Sequence, residues 1–379
     1  DSLGCSKRIQ YICNLHEQAC SIAAEAYGQY TNNLGVCMVT TGPGSTNALT
    51  GVAAAWMDST PMLVVSGQVK RSDLSHNKGI RQFGFQEINI VPIVESITKY
   101  AVTITDPDTV RYHIEKAIWA ATSGRPGPSW IDIPLDVQAA TIKPSQLLPF
   151  CPKDYIYTGT MDDEVLKKHV QETLSELEKS SRPIILVGNG VRLAKCEEDF
   201  LKLVQILKVP ILTTWKALDL FEEENELFIG RPGAVGQRAA NFAQQKSDWL
   251  MMLGARMDMG QTAYMHKYLA PKAVKTMIDI DPNEIRKMST RIEHQIPVDA
   301  GEFVQEMLRQ LNKWPLNPEM WKTWHKQCLE WKRKYPVVLP EYREFRDGVS
   351  VYTLVDVIAS LVQENDLVVP GSSGSCSEI

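Results

Sequence analysis

Short apolar runs alternate with longer stretches of helical spacing along most of this chain, and few architectures accommodate that alternation. Gly35–Thr40, Pro61–Val65, Ile97–Ile104 and Pro128–Ile133 are too short for buried helices and several are rich in β-branched residues. Ile9–Cys13 reads as a strand ahead of them. Helical spacing fills the gaps: from about His16, from Ser45 to about Met57, and from Val110 to Ala121. In the first of these, Ala19, Ile22, Ala23, Ala26, Tyr27 and Tyr30 recur at intervals of three and four, which predicts one buried face. Apolar strands separated by helices belong to parallel sheets covered on both faces, so the predicted class is α/β.

The pattern then breaks and resumes. Residues 142–160 carry prolines and little periodicity, the signature of a linker. A helix follows from Asp162, acidic at its start and with Lys179 near its end, the sense the helix dipole favours. Strands are predicted at Pro183–Val187, Pro210–Thr214, Trp249–Leu253 and Val274–Ile280, closed by a helix over Glu302–Leu311. Trp321, Trp324, Cys328 and Trp331 share a helical face and read as a core stripe. An amphipathic helix over Val351–Val362 and a strand at Leu367–Val369 open a third unit. The expected organisation is therefore an α/β domain over 1–140, a linker and helix over 141–180, and a second α/β domain over 181–312. A connector over 313–349 and the start of a third domain over 350–379 complete it.

Composition excludes several classes of partner. At 379 residues the chain is too long for one ordinary core. A net charge of -5 leaves no basic footprint for nucleic acid. No apolar run approaches the roughly 20 residues that cross a bilayer. Eight cysteines without a CxxC pair favour free thiols in a reducing cytoplasm over disulfides or zinc.

Candidate chemistry begins at His16-Glu17-Gln18-Ala19, where a glutamate opens an alanine-rich helix. Partial burial there is expected to raise its pKa and suit it to acid–base work; the plainer reading is a first-turn residue favouring the dipole. Gly42, Pro43 and Gly44 form a turn before Ser45-Thr46-Asn47, where backbone can approach a ligand and a helix start offers N–H groups. Downstream stand Asp58-Ser59-Thr60-Pro61, Gly67-Gln68, Phe85-Gln86-Glu87, Ser96-Ile97-Thr98-Lys99 and a segment from Gly124 to Asp136.

In this order the motifs HEQA, TTGPGSTN, MDSTP, GQ, FQE, SITK and GRPGPSWIDIPLDV resemble the pyrimidine-binding domain of the acetolactate synthase and pyruvate oxidase family of thiamine-diphosphate enzymes. The resemblance covers essentially the whole chain. It implies a pyrimidine-binding domain over 1–140, a Rossmann-like central domain over 181–312 and the start of a diphosphate-binding domain over 350–379. It implies that Glu17 hydrogen-bonds the pyrimidine ring of thiamine diphosphate, favouring the imino form that removes the thiazolium proton. By the same resemblance Gln86 lies near the reactive carbon, Phe85 lies against substrate, and the Gly42–Asn47 turn borders the cofactor. It further implies a 2-keto acid substrate, pyruvate, carboligation to a keto acid or keto-sugar, and a homodimer or homotetramer with the cofactor between subunits.

The second unit carries Gly188-Asn189-Gly190 after a strand, without the third glycine of a nicotinamide site. Arg256, Asp258, Asp279 and Asp299 resemble the positions at which acetolactate synthases hold FAD. The match is partial: Gly233-Ala234-Val235-Gly236 stands where those enzymes often carry Met-His, and Gly260-Gln261 near a second Arg. FAD and a purely structural domain with solvated strand-end charges both remain open. Gly371, Ser372 and Ser373 follow the last predicted strand as a candidate diphosphate loop. The family's Mg²⁺ motif lies beyond Ile379 and its first strand before Asp1, so no metal ligand is expected in this chain, and alone it is expected to be inactive.

Overall fold

The computed structural model describes residues 2–75, 78–155, 159–344 and 346–370. They divide into two compact units, Asp1–Thr158 and Gly159–Ile379. In the first, α1 (Glu17–Thr31), β1 (Gly35–Val39), α2 (Pro43–Asn47), α3 (Leu49–Asp58) and β2 (Met62–Gln68) come in succession. They are followed by β3 (Tyr100–Thr103), α4 (Val110–Thr122) and β4 (Pro128–Pro134). The strands form one parallel sheet in the order β1-β2-β4-β3. Alternation along each strand divides the core. Met62, Val64 and Trp130 join Ala24, Val52 and Ala55 on one side; Leu63 and Ile131 join Ala117 of α4 on the other.

Three sequence expectations are corrected here. Ile9–Cys13 forms no strand; Ile9, Tyr11 and Ile12 are 58, 57 and 87% exposed, with no strand among the described residues paired to them. The Ser45–Met57 helix is two helices meeting at Ala48, whose N–H bonds the Ser45 carbonyl. The buried face of α1 is the opposite of the one its bulk suggests. Ser21, Ala24, Glu25 and Gly28 point inward, while Ile22, Tyr27 and Tyr30 are exposed. Smallness decides the matter: a Cβ on Gly28 would stand 2.6 Å from Thr60, and one on Gly51 2.5 Å from Ser21. Backbones this close leave no room for large side chains.

The second unit builds α5 (Asp163–Lys179), β5 (Pro183–Val187), α6 (Glu197–Leu207), β6 (Ile211–Thr213), β7 (Phe228–Gly230) and α7 (Arg238–Lys246). Then come β8 (Trp249–Leu253), β9 (Val274–Ile278), β10 (His294–Ile296), α8 (Ala300–Leu311), α9 (Lys322–Lys334) and α10 (Val351–Leu361). Its parallel sheet runs β10-β9-β8-β5-β6-β7. The order in which successive strands are added reverses between the parallel neighbours β5 and β8, as in doubly wound sheets, where ligands bind outside the carboxyl ends at that point. β7 and β10, three residues each, are not apparent from sequence. Leu367–Val369 forms no strand and is exposed.

Helices cover both faces. Leu166, Leu174, Phe200 and Phe303 pack with Ile185 and Val187; Ala240 and Trp324 pack with Ile184 and Leu186. The tryptophan stripe is core as expected. Trp321, Trp324 and Cys328 are 1, 5 and 0% exposed. Their indole N–H groups dock the connector by donating to Ser180 and Pro183 carbonyls, each at 3.0 Å. No helix of the described residues is long and apolar enough to cross a membrane. Replacing the buried Trp321 by Ala removes both packing and a backbone tie, and is expected to cost about 3–5 kcal/mol in denaturant unfolding. A loss below about 1 kcal/mol would show that the stripe does not hold the connector in place.

Candidate functional site

The first unit's candidate residues converge at the carboxyl end of its sheet. Leaving β1, the chain turns at Gly42 in a left-handed conformation, φ 63°, and enters α2 with Pro43 at its first turn. A Cβ on Gly42 would lie 2.0 Å from the Gln86 carbonyl oxygen, so the turn and the later loop touch through backbone. Gln86 itself has φ 57°, which side chains other than glycine seldom adopt. Its side chain and that of Phe85, 83% exposed, lie open to solvent.

Glu17 opens α1, capped by His16, whose Nδ1 accepts from the Gln18 N–H at 3.2 Å. Asn47, at the end of α2, donates to Glu17 Oε2 at 3.1 Å. The other oxygen, Oε1, faces Gly44, where a Cβ would stand 3.5 Å away. Glu17, Gly42, Gly44, Asn47 and Gln86 are thus one assembly. The expected rise in the Glu17 pKa is corrected: Asn47, with the residue's own backbone N–H, holds it below its ordinary value, since the carboxylate is only half-buried.

Sequence reasoning missed the groups that hold this assembly in place. Gln68, at the end of β2, accepts from Thr41 Oγ1 at 2.9 Å and donates to the Ile88 carbonyl at 2.9 Å and Asp132 Oδ2 at 3.0 Å. Asp132, 1% exposed on β4, also accepts from Ser66 Oγ at 2.6 Å and Thr103 Oγ1 at 3.2 Å. Burial pushes its pKa up against those bonds. Glu87, 5% exposed, gathers Ser75 N–H and hydroxyl at 2.5 and 2.8 Å, and the N–H groups of Phe83 and Gly84 at 3.0 and 3.1 Å. Burial raises its pKa, but these donors win and leave it lowered. The motifs exposed these residues to view, yet only the folded loop shows what they bond.

In the second unit the candidates are dispersed over strand ends. Arg256 and Asp258, after β8, pair with each other at 3.5 Å, and Asp258 also accepts from the Gln261 N–H. Asp279, after β9, accepts from the Asp281 N–H at 2.9 Å. Asp299 caps α8 through the Gly301 N–H at 2.8 Å, and burial raises its pKa. Gly188 and Gly190 serve close packing: Cβ atoms there would stand 2.2 and 2.6 Å from Gly254. Gly371, Ser372 and Ser373 lie outside the described residues.

The Glu17–Asn47 contact sets a pH test. A carboxyl titrating below its ordinary 4.5 contributes stability above that pH and loses it as pH falls through the folded-state value. Asn47→Ala is expected to move the Glu17 titration upward toward 4.5 in carboxyl ¹³C NMR. An unchanged titration would exclude Asn47 as the cause.

Comparisons with known proteins give matches in both units. The model of the thiamine pyrophosphate enzyme N-terminal TPP binding domain matches residues 1–93, and that of the central domain matches 170–307. Acetolactate synthase large subunit of Pyropia yezoensis is 32% identical over 360 residues, covering 93% of this chain and 57% of the relative. That of Haemophilus influenzae is 31% identical over 350 residues, covering 88% of this chain and 58% of the relative. The probable large subunit of Methanocaldococcus jannaschii is 34% identical over 331 residues, covering 85% and 53%. The chain spans little more than half the length of these relatives. With both domain models matched in order along the sequence, the chain belongs to the thiamine pyrophosphate enzyme family.

Proposed function

We propose that this chain is part of an enzyme that decarboxylates a 2-keto acid, pyruvate, and joins the two-carbon unit to a carbonyl acceptor, as acetolactate synthases do. The observation that carries the reading is the convergence of Glu17, Asn47, Gly42, Gly44 and Gln86 at one sheet end. Thiamine diphosphate, when bound, supplies the carbanion chemistry. The residues present fit it: Glu17 keeps Oε1 clear of Asn47 and beside a glycine, where a ring can approach. Lowered in pKa, Glu17 is ionised at neutral pH and can hold a ring proton at that oxygen. Gln86 offers an exposed amide beside the Gly42 turn, and Phe85 an apolar surface that excludes water from substrate. Magnesium belongs with the diphosphate in this reading; among the described residues no group of three His, Cys, Asp or Glu could hold it.

FAD is a second ligand reading, favoured by the doubly wound strand order and by Arg256 at the carboxyl end of β8, beside the reversal point. A homodimer or homotetramer is favoured by the outward face of α1, where Ile22, Tyr27 and Tyr30 are 45, 53 and 80% exposed. The free cysteines suit a reducing cytoplasm.

Glu17→Gln in the full-length protein is the test. Pyruvate consumption is expected to fall roughly 10²–10⁴-fold, with the circular dichroism and melting profile unchanged. Near-normal turnover would overturn the role of Glu17. Wild-type protein that binds thiamine diphosphate without consuming pyruvate would favour a binding partner, and release of acetaldehyde or acetate alone would favour a decarboxylase or oxidase.

A further inference from the structure

Two free thiols meet directly behind Glu17. Cys20 lies one turn along α1 from Glu17, and its N–H bonds the His16 carbonyl at 3.0 Å in the helix's first turn. Cys37, in the middle of β1, is fully buried, and its Sγ stands 3.4 Å from Cys20 Sγ. Cys20 is partly exposed, and Cys37 is buried beneath it. No disulfide joins them. We propose that Cys20 and Cys37 are a peroxide-sensitive modification site whose oxidation moves the first turn of α1 and with it Glu17. The effect on catalysis rests on the role of Glu17 proposed above; the pairing of the thiols does not.

The chemistry balances with one equivalent of peroxide. Cys20 gives up its thiol proton, and the thiolate attacks a peroxide oxygen, breaking the O–O bond; a sulfenic acid forms, and the departing hydroxide takes up that proton and leaves as water. The Cys37 sulfur then displaces hydroxide from that sulfenic acid; the S–S bond forms, and the thiol proton and hydroxide leave as a second water. Cys20 is the more accessible of the two residues and so meets peroxide first, while burial holds the pKa of Cys37 high. Bonding requires the sulfurs to close by roughly 1.4 Å, and β1 is fixed in the sheet by its pairing with β2. The movement therefore falls on the start of α1, which carries Glu17 away from its contact with Asn47.

The experiment treats the full-length protein with hydrogen peroxide, then maps peptides without reduction and measures amide hydrogen exchange over residues 17–23. A Cys20–Cys37 linked peptide, reversed by dithiothreitol, is expected, with altered exchange in that turn; Cys20→Ala abolishes both. Cys20 over-oxidised or paired with Cys13, while Cys37 alkylates freely after unfolding, would overturn the proposal. A linked peptide with unchanged exchange and unchanged turnover would overturn the movement of Glu17. If the link forms but Glu17→Gln is fully active, the site stands and the functional reading fails.

Discussion

The buried carboxylate of Asp132 is the constraint on which the first unit's site depends. A charge removed from water must be met by donors, and Asp132 is met by Ser66, Gln68 and Thr103 from both neighbouring strands. Gln68 cannot serve Asp132 and turn away; its remaining atoms fall on Thr41 and Ile88. One inward-facing acid therefore fixes where the turn after β1 and the loop before Ile90 end. Gly42 and Gln86 then meet through backbone, and Glu17 finds Asn47 across the turn. The network is stiff because Oδ1 of the buried acid depends, among the described residues, on Ser66 alone and Gln68 serves Oδ2 and the Ile88 carbonyl together.

The second unit applies the same architecture with less concentration of function. Its strand order reverses between the paired strands β5 and β8, and glycines after both strands bring the chain against itself there. Asp279 and Asp299 accept backbone N–H groups close in sequence. What distinguishes the units is therefore local bonding at strand ends rather than sheet design.

Much of this was legible in the residues. Pro183–Val187 and Trp249–Leu253 are continuous apolar runs and coincide with fully buried strands. The three-residue strands β7 and β10 carry no period to detect. The order of motifs identified the family that the comparisons show, and it brought Glu17, Gly42, Asn47 and Gln86 under one reading before any geometry was known. Direct partners were not legible. Nothing in the spacing says that Asn47 would lower the Glu17 pKa, or that Glu87 would gather donors from Ser75, Phe83 and Gly84. The face of α1 was misread because size was taken as the sign of burial, when close backbone approach demanded the reverse.

That reversal changes how sequence variation along α1 should be interpreted. Helices ordinarily tolerate small changes outside and keep bulk inside. Here a single methyl at Gly28, or at Gly51 of α3, which faces Ser21 of α1, meets atoms 2.6 and 2.5 Å away, whereas Tyr30 projects into open space in the lone chain. A drift from glycine to alanine, usually counted as conservative, is the harsher substitution on this helix pair. The loss of a tyrosine, usually counted as radical, leaves the unit's own packing untouched.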